Sequence, residues 1–259
     1  MRSSLKLFAA SALAGLALLL AASFFARAQA PAPRPAQAPA AAPSADQILD
    51  RYLSAIGGRA AWEKLNSRTS LGRIDIPSMH LSGTVMIHDK APNRSLLVVI
   101  LAGATFRQGY DGIAGWTDDP QDGLRDITGA QLTETARDAD FYHPLHLKKL
   151  YSKFATAGVE EINGHNCYAL EATLPDGSVD KLYFDAASGL LLRLVGQRHD
   201  DTSATKVQED FDDYKEVEGV KLPFTLQQVD EKAPFTIHID ELHHNVDLDD
   251  SEFAKPAAR

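Results

Sequence analysis

Apolar residues recur along this chain with two different periods. Between Ser44 and Gly57-Gly58 they fall at helical spacing, as Ile48, Leu49, Tyr52, Leu53 and Ile56, with Ser44 placed as N-cap and Gln47 at the third helical position. A short second turn of helix is expected over Ala60 to Leu65. From Thr69 the period is two: Ile74 and Ile76 alternate with Arg73 and Asp75, and Leu182 and Phe184 with Lys181 and Tyr183. Pairs such as Asn163-Gly164 and Asp176-Gly177 punctuate these runs and supply the positive φ angles of tight hairpin turns. The alternation predicts strands at 69–76, 79–89, 95–102, 105–110, 113–118, 156–163, 166–174, 179–185, 190–198, 204–216, 221–230 and 235–243. Their short connections make an antiparallel meander. Residues 129 to 152 lack the alternation and are expected to form two short helices broken at Pro144. The predicted fold is α+β: a single-domain curved antiparallel sheet, an unclosed β-barrel of about eleven to twelve strands, covered on its concave face by helices.

One strand breaks the pattern. Leu96-Leu97-Val98-Val99-Ile100-Leu101 has no polar member, so it presents aliphatic groups to both faces of the sheet. Either it is covered on both sides, or one face is core and the other lines a cavity. Leu190, Leu191, Leu192, Leu194 and Val195 add to an apolar surface larger than a half-covered sheet can leave in water. The cavity candidates are Val85 and Ile87, then Leu97, Val99 and Leu101, then Leu182 and Phe184. The stretch with Leu145, Leu147 and Leu150 is expected to act as a lid, with Phe141 and Tyr142 at its mobile entrance.

The N-terminus changes the picture from fold to location. Arg2 and Lys6 precede an Ala- and Leu-rich run from Leu7 to Ala26, and Ala26-Arg27-Ala28 is a small-x-small cleavage site, so residues 1–28 read as a secretory signal peptide and the product as periplasmic. A retained membrane anchor is the competing reading of the same run. Residues 29–43 alternate Ala and Pro and are expected to be a disordered linker; one domain follows from 44 to 255, and 256–259 form a tail. Beyond residue 28 the chain has 23 basic and 35 acidic residues, a formal charge of −12 that excludes nucleic acid as a partner. A single cysteine, Cys167, permits no internal disulfide and reads as a small buried hydrophobe.

Four segments then carry a resemblance. GTVMIHDKAPNR (83–94), YDGIAGW (110–116), KLYFDAASGLLLR (181–193) and DDYKEVEGVKLPF (212–224), in that order, resemble the bacterial lipoprotein-sorting proteins of the LolA/LolB-like superfamily. ILDRYLSAIGGRAAWEKL (48–65) is similar to the start of that group's less characterised members. The resemblance implies an unclosed antiparallel barrel whose concave face, closed by helices, holds the acyl chains of a lipoprotein or another lipid. The well-studied carriers tend to have an arginine, which helps hold the closed lid, directly before the proline matching Pro92; this chain has Ala91 there and Lys90 one place earlier.

Catalytic candidates are few. Asp140, His143 and His146 could turn toward one metal on a helix, but Pro144 interrupts it, and they read as surface residues. His238 and Asp240 share a strand face that His244 could join, with His243 beside it, a conceivable weak divalent-metal site. The acidic runs Asp210, Asp212, Asp213 and Asp247, Asp249, Asp250, Glu252 lack the glycine-centred loop of a calcium site and read as solvated turns. Trp62 and Trp116 read as core. No HExxH, GxSxG or phosphate-cradling glycine loop occurs. The expected function is therefore a periplasmic carrier, monomeric and without cofactor, whose partner is a lipid or lipoprotein acyl chain, with an envelope protein as a further partner. The alternative is an accessory subunit or a metal-dependent hydrolase using His238 and Asp240. A carrier needs an almost purely aliphatic cavity; an enzyme needs at least two convergent titratable groups with perturbed pKa values.

Overall fold

The computed structural model describes residues 42–199, 204–229 and 234–257; the expected signal peptide, residues 29–41 of the expected linker and the last two residues of the expected tail lie outside them. Helix α1, Ala45–Ala55, begins with both halves of a capping box: the Gln47 N–H donates to Ser44 Oγ at 3.3 Å and the Ser44 N–H to Gln47 Oε1 at 2.8 Å. Helix α2 is the single turn Arg59–Trp62. The strands described are β1 (Ser67–Ile76), β2 (Leu81–Lys90), β3 (Arg94–Leu101), β4 (Ala104–Tyr110), β5 (Gly115–Asp119), β6 (Gly123–Ile127), β7 (Lys153–Ile162), β8 (His165–Thr173), β9 (Val179–Asp185), β10 (Leu191–His199), β11 (Ala204–Val217), β12 (Val220–Val229) and β13 (Phe235–His244). Helices α3 (Gly129–Asp138) and α4 (His143–Leu150) stand between β6 and β7.

Two expectations are corrected. The described residues form thirteen strands, because β6 escapes the pattern: its apolar Leu124 and Ile127 are separated by Arg125 and Asp126 and do not alternate. Pro144 does not break a helix but starts one, in the first turn of α4, where its missing N–H costs no intrahelical bond. The helical insert is interrupted earlier, over residues 139–142.

All thirteen strands form one antiparallel sheet in the order β6-β5-β4-β3-β2-β1-β13-β12-β11-β10-β9-β8-β7. A meander in chain order would leave β1 and β13 at the edges. Here they pair at the centre, and the open edges are β6 and β7, the two strands that α3 and α4 connect. The hairpin turn between β7 and β8 is Asn163-Gly164, with φ of 50° and 83°, the positive values that favour this dipeptide.

The register defines two faces. Gly72, Val85, Val99 and Phe106 stand opposite one another across β1 to β4, as do Ser70, Ile87, Leu97 and Gln108, and these rows face the concave side. On that side Leu170, Leu182, Phe184 and Val220 are at most 1% exposed and pack in one cluster with α1, Trp62 and α4. The rings of Tyr52 and Phe184 meet at 5.3 Å.

The convex side carries the segment from Leu248 to Phe253. Phe253 is fully buried, and its carbonyl accepts a 2.9 Å hydrogen bond from Trp116 Nε1. Gly109 makes room for that indole; a Cβ there would stand 2.4 Å from the ring. Lys90 Nζ donates to Leu248 O at 2.6 Å and pairs with Asp250 at 2.7 Å, while His88 Nδ1 lies 2.9 Å from Glu252. Asp250 and Glu252 of the second acidic run thus tie it to basic side chains of β2, and Asp249 caps the short 3-10 turn Asp250–Glu252.

Candidate ligand-binding cavity

A cavity of 390 Å³ lies between the concave face and the helices, within the range of about 300–1,000 Å³ usual for small-molecule sites. Its aliphatic wall comes from Leu194, Leu222, Leu226, Ile237, Ile239 and Leu242, spread over β10, β12 and β13. Ile87 and Ser70 add the floor from β2 and β1, and Phe141 closes it from the connection between α3 and α4. The lining is not purely aliphatic. Arg68 Nη2 donates to Asp89 Oδ2 at 2.6 Å, with the guanidinium carbon 5.8 Å from the centre of the Phe141 ring. Across the cavity Arg198 Nη2 donates to Glu209 Oε1 at 2.7 Å and stands 3.9 Å from Asp138.

Electrostatics follow from burial. It pushes the Glu209 carboxyl above the usual range, partly offset by Arg198. Burial also opposes charge on Arg198, but Asp138, Glu209 and Glu134 together outweigh it and hold the guanidinium more firmly protonated than usual. Nearby, burial raises Asp180 despite the 2.8 Å hydrogen bond it accepts from Tyr151 Oη. His143, also on the cavity wall, is driven toward its neutral form by burial.

The sequence-predicted residues divide among three environments. Ile87 lines this cavity, and Leu97 lines a second one beneath α3. Val85, Leu182 and Phe184 are buried, the last two in the packed cluster under α1. Val99 and Leu101 share the concave face with Val85 and are half-buried. The opposite face of β3 is also only half-covered, with Ile100 44% exposed, so neither side of this apolar strand is shut away. Reading by parity missed the charged wall, although Arg198 shares its face with Leu194 on β10 and Glu209 with Val207 on β11.

The lid candidates are tied down at several points. Leu145 and Leu147 are buried in the cluster with α1, Leu150 packs at its edge, and Phe141 is 4% exposed. The Phe141 N–H donates to Pro92 O at 3.0 Å and Tyr142 Oη donates to Leu65 O at 2.8 Å. Ala91 packs against the same cluster, and Lys90 points its ammonium at Leu248 O instead. The link between the helices and the β2–β3 turn therefore runs through the backbone, where the resemblance leads one to expect an arginine.

The second histidine cluster does not converge. Residues 71 and 72 of β1 pair with 241 and 239, so Asp240 is an extra residue in β13 and the bulge shifts the alternation. His238 and Asp240 stay on the convex side, where Asp240 receives a bidentate pair from Arg73 at 3.1 Å and His238 Nδ1 lies 3.2 Å from Thr225 Oγ1. His244 turns to the other side with Leu242, 5% exposed, and burial lowers its pKa to about 4. In the first cluster His146 Nδ1 lies 2.6 Å from Asp140 Oδ2. Among the described residues no group of three or more His, Cys, Asp or Glu side chains is arranged to hold a metal ion. Cys167 is fully buried, and burial pushes its thiol up to about 11.

No protein-family profile matches the chain, and no curated protein sequence matches it. Solved structures do. A DUF1329 family protein from Desulfovibrio piger superposes with a TM-score of 0.56 at 18% identity, over 81% of this chain and 96% of that one. A LolA superfamily protein from Nitrosomonas europaea gives 0.52 at 14% identity, over 83% and 99%. A domain from Vibrio parahaemolyticus assigned to outer membrane lipoprotein sorting gives 0.51 at 14% identity, over 80% and 95%. Among the described residues no helix is long and apolar enough to cross a membrane. The curved, unclosed sheet with helices on its concave face is a LolA-like fold.

Proposed function

We propose that the protein is a periplasmic carrier that holds the acyl chain of a lipid or lipoprotein in its concave cavity. The observation that supports this reading most is the aliphatic wall built from three strands. A chain burying ~300 Å² there would gain on the order of 7 kcal/mol before the costs of ordering are subtracted. Arg68 with Asp89, and Arg198 with Glu209, are neutralised within the wall, so they add little repulsion toward an uncharged chain. Cleavage after Ala28, a monomeric state and exchange with an envelope protein belong to the same proposal. The shared LolA-like fold supports it at the level of architecture. A hydrolase at His238 and Asp240 has less in its favour, since both side chains lie on the convex face and Asp240 is held by Arg73.

Mass spectrometry of the lipids that co-purify with periplasmically expressed protein tests the proposal. Stoichiometric acyl lipid is expected. Recovery of a protein free of lipid that also fails to take up any fatty acid would contradict it.

A further inference from the structure

Helix α3 covers the sheet in an unusual way: Leu132 packs toward Gly115 of β5, but the residues it turns toward β4 are polar. Gln131, Glu134, Thr135 and Asp138 recur at helical spacing and all line a second cavity of 380 Å³ between α3 and the concave face. None of the residues of α3 is fully buried. Gln108 and Tyr110 of β4 line the opposite side, and Asp138, Arg198 and Glu209 form a wall common to this cavity and the aliphatic one.

We propose that this second cavity is the subsite for a neutral, hydroxyl-bearing head group, of the glyceryl or sugar class, on the ligand whose chain occupies the first; the inference rests on the carrier reading. Each charged side chain here already has a partner, Asp138 pairing with Arg137 at 3.4 Å as well as facing Arg198. Glu134 accepts the His199 backbone N–H at 2.9 Å and lies 2.6 Å from His199 Nδ1, while Arg198 serves Glu209 and Asp138. An anionic head group would therefore meet the carboxylates of Glu134, Asp138 and Glu209, and a cationic one would compete with Arg198 and His199 for them in a partly desolvated site. What remains unmatched is neutral: Gln131 Oε1 is buried and accepts no hydrogen bond from any described residue. That oxygen calls for a donor, and a hydroxyl supplies one and leaves the ion pairs intact. A ligand made only of hydrocarbon would leave this wall unsatisfied.

The test compares probes with the same palmitoyl chain displacing a fluorescent fatty acid from the full-length processed protein. Monopalmitoylglycerol should bind about tenfold tighter than methyl palmitate, the scale of one or two net hydrogen bonds. Gln131→Met, close in volume but without the amide, should abolish that preference and leave the affinity for methyl palmitate unchanged; Gln131→Leu, with thermal melts of both variants, checks that the fold is retained. Equal binding of the two esters by the unmodified protein, tighter binding of palmitate or hexadecylammonium than of the glyceryl ester, or a preference that survives Gln131→Met would overturn the subsite and leave the carrier reading standing. Failure of every probe to bind would overturn the carrier reading, and the subsite with it.

Discussion

The two halves of the sheet put similar hydrophobic alternation to different uses. In β8 and β9, Leu170, Leu182 and Phe184 are at most 1% exposed, packed with α1 and α4. In β3 and β4, Val99 and Leu101 are only half-buried and Phe106 is 37% exposed, although β3 is the most apolar strand of the chain. Cover makes the difference. The first half lies beneath the apolar stripes of α1 and α4, whereas α3 offers the sheet a polar face and packs against β10 and β5. Apolar composition specifies which surfaces should leave water, and the placement of helices specifies which of them do so without a ligand.

Mutations should separate the halves by energy. Phe184→Ala removes a fully buried ring from the packed half and should cost about 3–5 kcal/mol, read from denaturant midpoints. Val99→Ala in the open half should cost about 1 kcal/mol or less. Equal losses at the two positions would erase the distinction.

A pH dependence of intermediate size comes from the centre of the sheet. Burial first, and Arg68 second, lower His244 from 6.5 to about 4, so the unfolded chain takes up this proton before the folded one does. The stabilisation from keeping it neutral is complete above about pH 6.5 and is lost as the pH falls toward 4. His244→Gln should remove a loss on the order of 2 kcal/mol across that window. The raised carboxyls of Asp180 and Glu209 act in the opposite sense at the acid end, and the difference between unmodified protein and variant cancels them. A variant with an unchanged pH profile would show that His244 does not carry this term.

The smallest effect is expected on the convex face. Replacing His238 and Asp240 together by Ala breaks an exposed ion pair with Arg73 and the contact of His238 with Thr225, and should change stability by about 1 kcal/mol or less, with acyl binding unaltered. Loss of binding in that variant would move the site to the wrong side of the sheet.

Much of the fold is legible because alternation and turn chemistry agree: Asn163-Gly164 marks its hairpin, and Ser44 with Gln47 marks the start of α1. What stays hidden is long-range or irregular. Nothing in the local pattern of β1 or β13 says that they pair, and the bulge at Asp240 undoes a parity argument that is sound up to that residue. The cavity is partly legible for the same reason. Period two places Ile87 and Leu97 on the concave face, but it places Leu182 and Phe184 there too, and only the position of α1 separates lining from core. The charged wall was within reach of the same reasoning, since Arg198 and Glu209 stand on apolar faces.

Binding of a fatty-acid series to the unmodified protein and to Leu226→Glu, a half-buried residue of the cavity wall, tests the central claim most directly. The account predicts affinity rising by up to about 0.8 kcal/mol per added methylene until the cavity is filled, and loss of that binding in Leu226→Glu with its thermal unfolding largely preserved. Affinity independent of chain length, or a Leu226→Glu variant that binds as the unmodified protein does, would contradict it.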